Sequence, residues 1–99
     1  MKLWVDDVRP APDGYVWYKT VNAAKWAIEY CEKCGEKIEL IDLDHDAGDY
    51  AQYGGDYIRL VDWLEETRRN YPIRIHSMNP VGVANIRHII QRNGWKEVR

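Results

Sequence analysis

The chain has 99 residues, 45% hydrophobic and 30% charged, enough for one globular core and too few for two, and unlike a disordered segment. Fourteen Lys and Arg against sixteen Asp and Glu leave a formal charge of −2, which argues against bulk duplex-DNA binding by electropositivity. No apolar run is long enough for a membrane span or an export signal, so one cytoplasmic domain over residues 1–99 is expected.

Five short runs rich in β-branched and aromatic residues read as strands, at about 2–5, 15–19, 38–43, 72–76 and 95–98. They alternate with amphipathic segments, the pattern of an α/β domain with a mostly parallel sheet. Between the first two strands, Arg9-Pro10-Ala11-Pro12-Asp13-Gly14 holds two prolines and a glycine and is a loop. The first helix follows Thr20 as N-cap, sets Ala24, Ala27, Ile28, Cys31 and Cys34 on one stripe, and stops at Gly35. The CxxC of Cys31 and Cys34 falls near the end of that helix, away from the N-terminal dipole that activates redox thiols, and no further zinc ligands are spaced for it. Both cysteines read as reduced core residues. A second helix is expected from the Gly54-Gly55-Asp56 turn, with Tyr57, Leu60, Val61 and Leu64 on one face and its end at Arg68, Arg69 and Asn70 before Pro72. The third opens with Asn79 as N-cap and Pro80 at the first helical position and ends at Asn93-Gly94.

Right-handed crossovers put all three helices on one face of the sheet. Alternation places Trp4 and Trp17 on the other, where either the proline loop or a second subunit must cover them, so a homodimer through the helix-free face is one expectation.

In parallel sheets ligands sit beyond the carboxyl ends of the strands. Asp6-Asp7 follow the first strand, Asp44-His45-Asp46 the third, and His76-Ser77-Met78-Asn79 the fourth, so three acidic or polar stretches converge on one edge. A lone Asp after a strand ordinarily caps a turn, but three segments coinciding suggest a cation among Asp6, Asp7 and Asp44, while Asp42 inside the strand reads as structural. An all-oxygen set suits Mg²⁺, with Mn²⁺ or Ca²⁺ as alternatives, better than zinc. His45 and His76 are the imidazoles of this edge and can serve as general acid or base, or simply hydrogen-bond the acids; Asp46 can orient His45. The start of the third helix, with Ser77 and Asn79, resembles an anion seat, although Asn79 is also explained as a plain helix cap. Arg9 can clamp a phosphate or neutralise the aspartates.

The order strand, acidic pair, strand, helix, strand, Asp, helix, strand, hydroxyl residue, helix, strand resembles the receiver domain of two-component signalling, a flavodoxin-like fold. The resemblance implies that Asp6 and Asp7 hold Mg²⁺, that Asp44 accepts a phosphoryl group and that Ser77 touches the phosphate. The first and last receiver helices are missing, and the receiver's lysine after the fifth strand has no counterpart before Arg99. WVDDVRPAP (Trp4 to Pro12), LDHDAG (Leu43 to Gly48), GGDYIRLVDWLEE (Gly54 to Glu66) and IHSMNP (Ile75 to Pro80) are similar to the hallmarks of a divergent branch, the cyclic-phosphate-processing receiver-like family. That family carries a larger apolar residue where this chain has Ala47. The resemblance implies a small bacterial or phage-type protein that hydrolyses or senses a cyclic phosphate on a nucleotide or RNA end. Asp6, Asp7 and Asp44 would then hold the metal, Arg9, Ser77 and Asn79 the phosphate, and His45, His76 and Asp46 the proton chemistry. The competing reading is a non-catalytic module that binds a phosphorylated ligand or a protein partner, and a third keeps Asp44 as a phosphoacceptor.

Overall fold

The computed structural model describes residues 1–99, in which β1 (Lys2–Val5), β2 (Tyr15–Tyr18), β3 (Leu40–Leu43), β4 (Ile73–Ile75) and β5 (Glu97–Val98) form one sheet in the order β2-β1-β3-β4-β5. Every neighbouring pair is parallel, with Leu3 opposite both Val16 and Ile41, and Ile41 opposite Ile73. Three helices, α1 (Val21–Cys34), α2 (Ile58–Glu66) and α3 (Pro80–Asn93), complete the receiver-like α/β fold expected above.

Period-two alternation sorts the central strands into two chemically distinct faces. Leu3 and Val5 of β1, Ile41 and Leu43 of β3, and Ile73 of β4 point toward the helices. They form one buried cluster with Ala24, Ala27, Ile28 and Cys31 of α1, Leu60, Val61 and Leu64 of α2, and Ile86, Ile89 and Ile90 of α3. All three helices therefore lie on one face. Trp4, Leu40 and Asp42 point to the other. There the proline loop takes over part of the covering role, because the Trp4 indole N–H donates to the Arg9 carbonyl at 2.8 Å and the side chain is buried. The open edge strand β2 leaves Tyr15 and Trp17 half-buried.

The helix boundaries follow local chemistry. Thr20 accepts from the Ala23 N–H and caps α1, while Asn79 accepts from the Gly82 N–H and caps α3, with Pro80 in its first turn. Gly35 and Gly94 end these helices in the left-handed conformation.

Several expectations are corrected. The second helix starts at Ile58 and stops at Glu66, short of Arg69, because Arg68 takes a positive φ of 56° and breaks the ladder. Residues Gly48–Tyr53, with no sequence signal for a helix, wind into a 3-10 turn leading to it. Only Cys31 of the pair joins the core; Cys34 is exposed on the last turn of α1. The fifth strand shortens to two residues.

Candidate functional site

The sheet carries its acids to one edge by continuing its own ladder. Asp6 N–H donates to the Tyr18 carbonyl, Asp44 N–H to Val5, and His76 N–H to Leu43, so the residue after each of β1, β3 and β4 is held in register with its neighbours. As a result one carboxylate oxygen each from Asp6, Asp7 and Asp44 lies within 4.8 Å of the other two. Asp6 and Asp44 are buried, and Asp7 is half-buried. Burial works against the charge on Asp6. The Arg9 and Val8 N–H groups, both donating to its Oδ1 at 2.9 Å, together with His76, nevertheless hold its carboxyl below the ordinary value. Asp7 is less well compensated: burial, joined by the charges of Asp6 and Asp44, outweighs a hydrogen bond from its own backbone N–H and lifts its carboxyl above the ordinary range. An all-carboxylate group in which Asp7 stays raised beside Asp6 and Asp44 fits a hard divalent cation such as Mg²⁺.

Gly48 lets this cluster close. Its φ is +55°, and a Cβ there would stand 2.6 Å from Asp7 Oδ2, so any side chain would push the carboxylate off its position. Ala47 is fully buried, its N–H donating to Asp56 Oδ1 at 3.0 Å, which fixes the loop that presents Gly48.

His76 lies beside the cluster between two acids. Its Nε2 is 2.8 Å from Asp6 Oδ2 and its Nδ1 is 2.6 Å from Asp42 Oδ1, with Arg74 Nη1 donating to the other Asp42 oxygen at 3.3 Å. Trp4 stacks on the imidazole, with ring centroids 3.8 Å apart and planes 3° from parallel. Ionised carboxylates only accept, so the ring matches both neighbours when doubly protonated or when one carboxyl keeps its proton. As the ring stands, neither nitrogen is free to meet a ligand. Arg9 also reaches here, its Nη1 donating to the His76 carbonyl at 2.9 Å and its Nε lying 3.9 Å from Asp6 Oδ2.

His45 is arranged differently. Its Nδ1 is 2.9 Å from Asp46 Oδ1, which assigns the proton to Nδ1 and leaves Nε2 without a protein partner. That hydrogen bond, with a second from Asn79 Nδ2 at 3.3 Å, holds Asp46 below the usual carboxylate range. The ring packs on α3 at Gly82, where a Cβ would collide with the imidazole. A cleft of about 350 Å³ opens beside these groups, lined by Arg9, Asp44, Asp46, Ser77, Met78 and Asn79. Within it Ser77 Oγ accepts from the Asn79 N–H at 3.1 Å, while Asn79 both caps α3 and braces Asp46.

A larger hollow of about 540 Å³ lies outside this edge, against the Trp26 and Tyr30 side of α1. Its charges are already engaged with one another: Arg69 grips Glu32 through Nε and Nη2, and Tyr71 donates to the same carboxylate.

The structure thus gathers Asp6, Asp7 and Asp44 at one point and Arg9, Asp46, Ser77 and Asn79 around the adjoining cleft, with His45 bonded to Asp46 and His76 to Asp6. Sequence reasoning missed Trp4 as a partner of His76, Asp42 as its second acceptor, and Gly82 as the floor under His45. An isolated glycine in the first turn of a helical pattern is the one available signal, since such a position ordinarily marks a close approach.

A family model described as the cyclic-phosphate processing receiver domain matches residues 1–92. No curated protein and no solved structure matches the chain. No helix is long and apolar enough to cross a membrane.

Proposed function

The chain belongs to the cyclic-phosphate processing receiver domain family, and on that premise we propose that it is a metal-dependent phosphoesterase that opens a cyclic phosphate on a nucleotide or an RNA end. The observation that carries this reading is the juxtaposition of two unlike devices: a trio of close carboxylates, and the His45 imidazole oriented by Asp46, whose carboxylate lines the same cleft as Asp44.

Asp6, Asp7 and Asp44 would hold the cation, with Mg²⁺ as the expected ion and Mn²⁺ or Ca²⁺ as alternatives. When bound it neutralises phosphoryl oxygens and polarises water. Arg9 and Ser77 bind phosphate oxygens, and the Asn79 amide keeps the start of α3 facing them. Opening the ring breaks one P–O bond to a sugar oxygen while a water oxygen joins phosphorus, so one proton leaves the water and one reaches the departing alkoxide. His45 Nε2, bare in this tautomer, takes the proton that leaves the water and delivers it to the departing alkoxide, while Asp46 holds the Nδ1 side of the ring. His76, gripped by Asp42 and stacked on Trp4, positions Asp6 instead of exchanging a proton with the ligand.

The test is hydrolysis of a panel of 2′,3′- and 3′,5′-cyclic nucleotides with Mg²⁺, Mn²⁺ and EDTA controls. Wild type is compared with Asp44→Asn and His45→Ala. Turnover that disappears in EDTA and in both variants supports the esterase. The engagement of both His76 nitrogens, which leaves His45 as the single free imidazole of this edge, favours one second reading: a sensor that binds a phosphorylated ligand without turning it over. Ligand-dependent thermal stabilisation with no hydrolysis would establish that reading in place of the first.

A further inference from the structure

The outer strand of a sheet offers unpaired backbone groups to any strand that can meet them, and proteins ordinarily blunt it with charge, proline, a bulge or brevity. The two outer strands of this sheet differ. β5 has only two residues and carries Glu97, gripped by Arg87 and Arg99. β2, Tyr15-Val16-Trp17-Tyr18, has no charge, no proline and an unbroken register on β1, and Val16 is 43% exposed. Successive residues of a ladder turn their backbone groups to opposite sides. The Asp6 N–H donates to the Tyr18 carbonyl, so Val16 and Tyr18 face β1 while Tyr15, Trp17 and Lys19 face away from the sheet. Some of these outward groups are already engaged: the Tyr15 N–H donates to the Pro12 carbonyl at 3.1 Å, and the Lys19 carbonyl accepts from the Tyr57 hydroxyl at 2.7 Å. The Trp17 N–H and carbonyl, the Tyr15 carbonyl and the Lys19 N–H remain. They are also held still, since the Trp17 indole donates to the Asp6 carbonyl at 2.7 Å and the Lys19 ammonium lies 4.6 Å from the centroid of the Trp17 ring.

We propose that β2 is a self-association edge: a second copy of the chain adds its own β2 antiparallel, about a two-fold axis at Trp17, and the two sheets become one. The remaining backbone groups select this occupant and this register. With Trp17 opposite the partner's Trp17, each Trp17 N–H meets the other Trp17 carbonyl, and each Lys19 N–H meets the partner's Tyr15 carbonyl. The groups already engaged, the Tyr15 N–H and the Lys19 carbonyl, then fall opposite one another and need nothing. A foreign strand would place an unmet carbonyl or N–H at each of those positions, which costs free energy once water is excluded. Charge agrees. Lys19 is the single charged residue of the outward run, and this register sets it across from the neutral Tyr15, whereas an axis at Lys19 would bring two ammonium groups together. Four strand residues a side make a small contact, so the dimer is weak, half-formed at about 100 µM.

The experiment combines sedimentation equilibrium with amide hydrogen exchange read by NMR, on wild type from about 10 µM to about 1 mM. A dimer is expected to form over this range, with exchange at the Trp17 and Lys19 amides slowing as it forms while Val16 and Tyr18, already paired to β1, are unchanged. A second arm uses the residue that meets itself. Trp17→Lys and Trp17→Glu, each checked for folding by thermal unfolding, are expected to self-associate at least about tenfold more weakly than wild type, and their equimolar mixture to recover the dimer. If neither variant folds, the wild-type exchange pattern decides alone. A wild type that stays monomeric at about 1 mM would overturn the proposal and leave the edge to a strand of another protein. A dimer whose Trp17 and Lys19 amides exchange no more slowly than in dilute solution would overturn it in favour of another surface, such as the helix-free face. A mixture of folded variants that associates no better than either one alone would overturn the axis at Trp17.

Discussion

Replacing Asp7 by asparagine should make the ion-free protein more stable while removing its response to divalent cations. Oxygens of Asp6, Asp7 and Asp44 lie within 4.8 Å of one another. Two unit charges at that distance repel by about 1 kcal/mol at bulk-water screening and by about 3.5 kcal/mol at an effective dielectric of 20. Asp6 is compensated by two backbone N–H donors and by His76, whereas Asp7 carries a raised carboxyl and faces both neighbours. The carboxamide introduced by Asp7→Asn would present an N–H donor to the same two carboxylates. A gain of about 1–2 kcal/mol follows after allowance for solvent at this half-buried position, or roughly 5–10 °C in the melting temperature of a domain of this size. The sign with pH can be worked out. The folded Asp7 carboxyl titrates above its unfolded value of 3.8, so its ionised form opposes folding. That penalty is fully present above the raised folded value and disappears as pH falls through it toward 3.8, so the advantage of Asp7→Asn shrinks over the same interval. The assay is thermal unfolding of both proteins in EDTA and in Mg²⁺, at neutral pH and at successively lower pH. In EDTA the variant melts higher; in Mg²⁺ the wild type rises and the variant does not. A variant that melts at or below wild type in EDTA, or an equal Mg²⁺ response in both, would refute the argument that the cluster is a strained cation seat.

Removing the imidazole in His76→Ala leaves the buried Asp6 and Asp42 carboxylates facing each other across a hole, and a loss of about 3–5 kcal/mol is expected in urea unfolding; a loss below about 1 kcal/mol would show that the three groups are not energetically joined. Gly82→Ala improves helix propensity by up to about 1 kcal/mol yet drives a methyl group into the His45 ring. Its expected signature is an Asp46 carboxyl that returns toward its ordinary titration range by NMR, and an unchanged Asp46 titration would sink this account of the contact. With an aromatic disulfide reagent, exposed Cys34 should react promptly. Buried Cys31, whose thiol is pushed up by burial and by the neighbouring Glu36, should react only at the rate of unfolding. Two equally fast thiols would mean that α1 does not pack as described.

Much of this architecture is legible in the sequence because its signals are local. Thr20, Gly35, Asn79-Pro80 and Gly94 mark the ends of α1 and α3 through bonds made within a few residues, and the strand faces of Leu3, Trp4 and Val5 follow from alternation alone. The gathering of Asp6, Asp7 and Asp44 was accessible because parallel strands must end at a common edge. What escaped depends on contacts made across long stretches of chain. The stacking of Trp4 on His76 joins residues far apart in the sequence, and nothing near either one announces it. The 3-10 turn at Gly48–Tyr53 likewise begins where Gly48 passes close to Asp7, a tertiary approach that no local propensity announces. His76 shows the same limit at the site: its residue type suggests proton exchange, and only the two facing carboxylates reveal that its nitrogens are taken.

The polar chain from Arg74 through Asp42 and His76 to Asp6 also bears on how the strands find one another. Its members belong to β3, to β4 and its following residue, and to the residue after β1, so it is completed only when all three central strands are aligned as observed. Side-chain direction alternates residue by residue, and a slip of β3 by one position would therefore swing Asp42 into the layer occupied by Leu3, Ile41 and Ile73, with no donor to meet it. Parallel pairing among short Ile- and Leu-rich strands offers little else to tell one alignment from the next. The groups that brace the carboxylate cluster thus act as a combination lock on strand pairing. An apolar replacement of Asp42 and His76 would relax that lock, admitting shifted alignments even where it left the folded state no less stable.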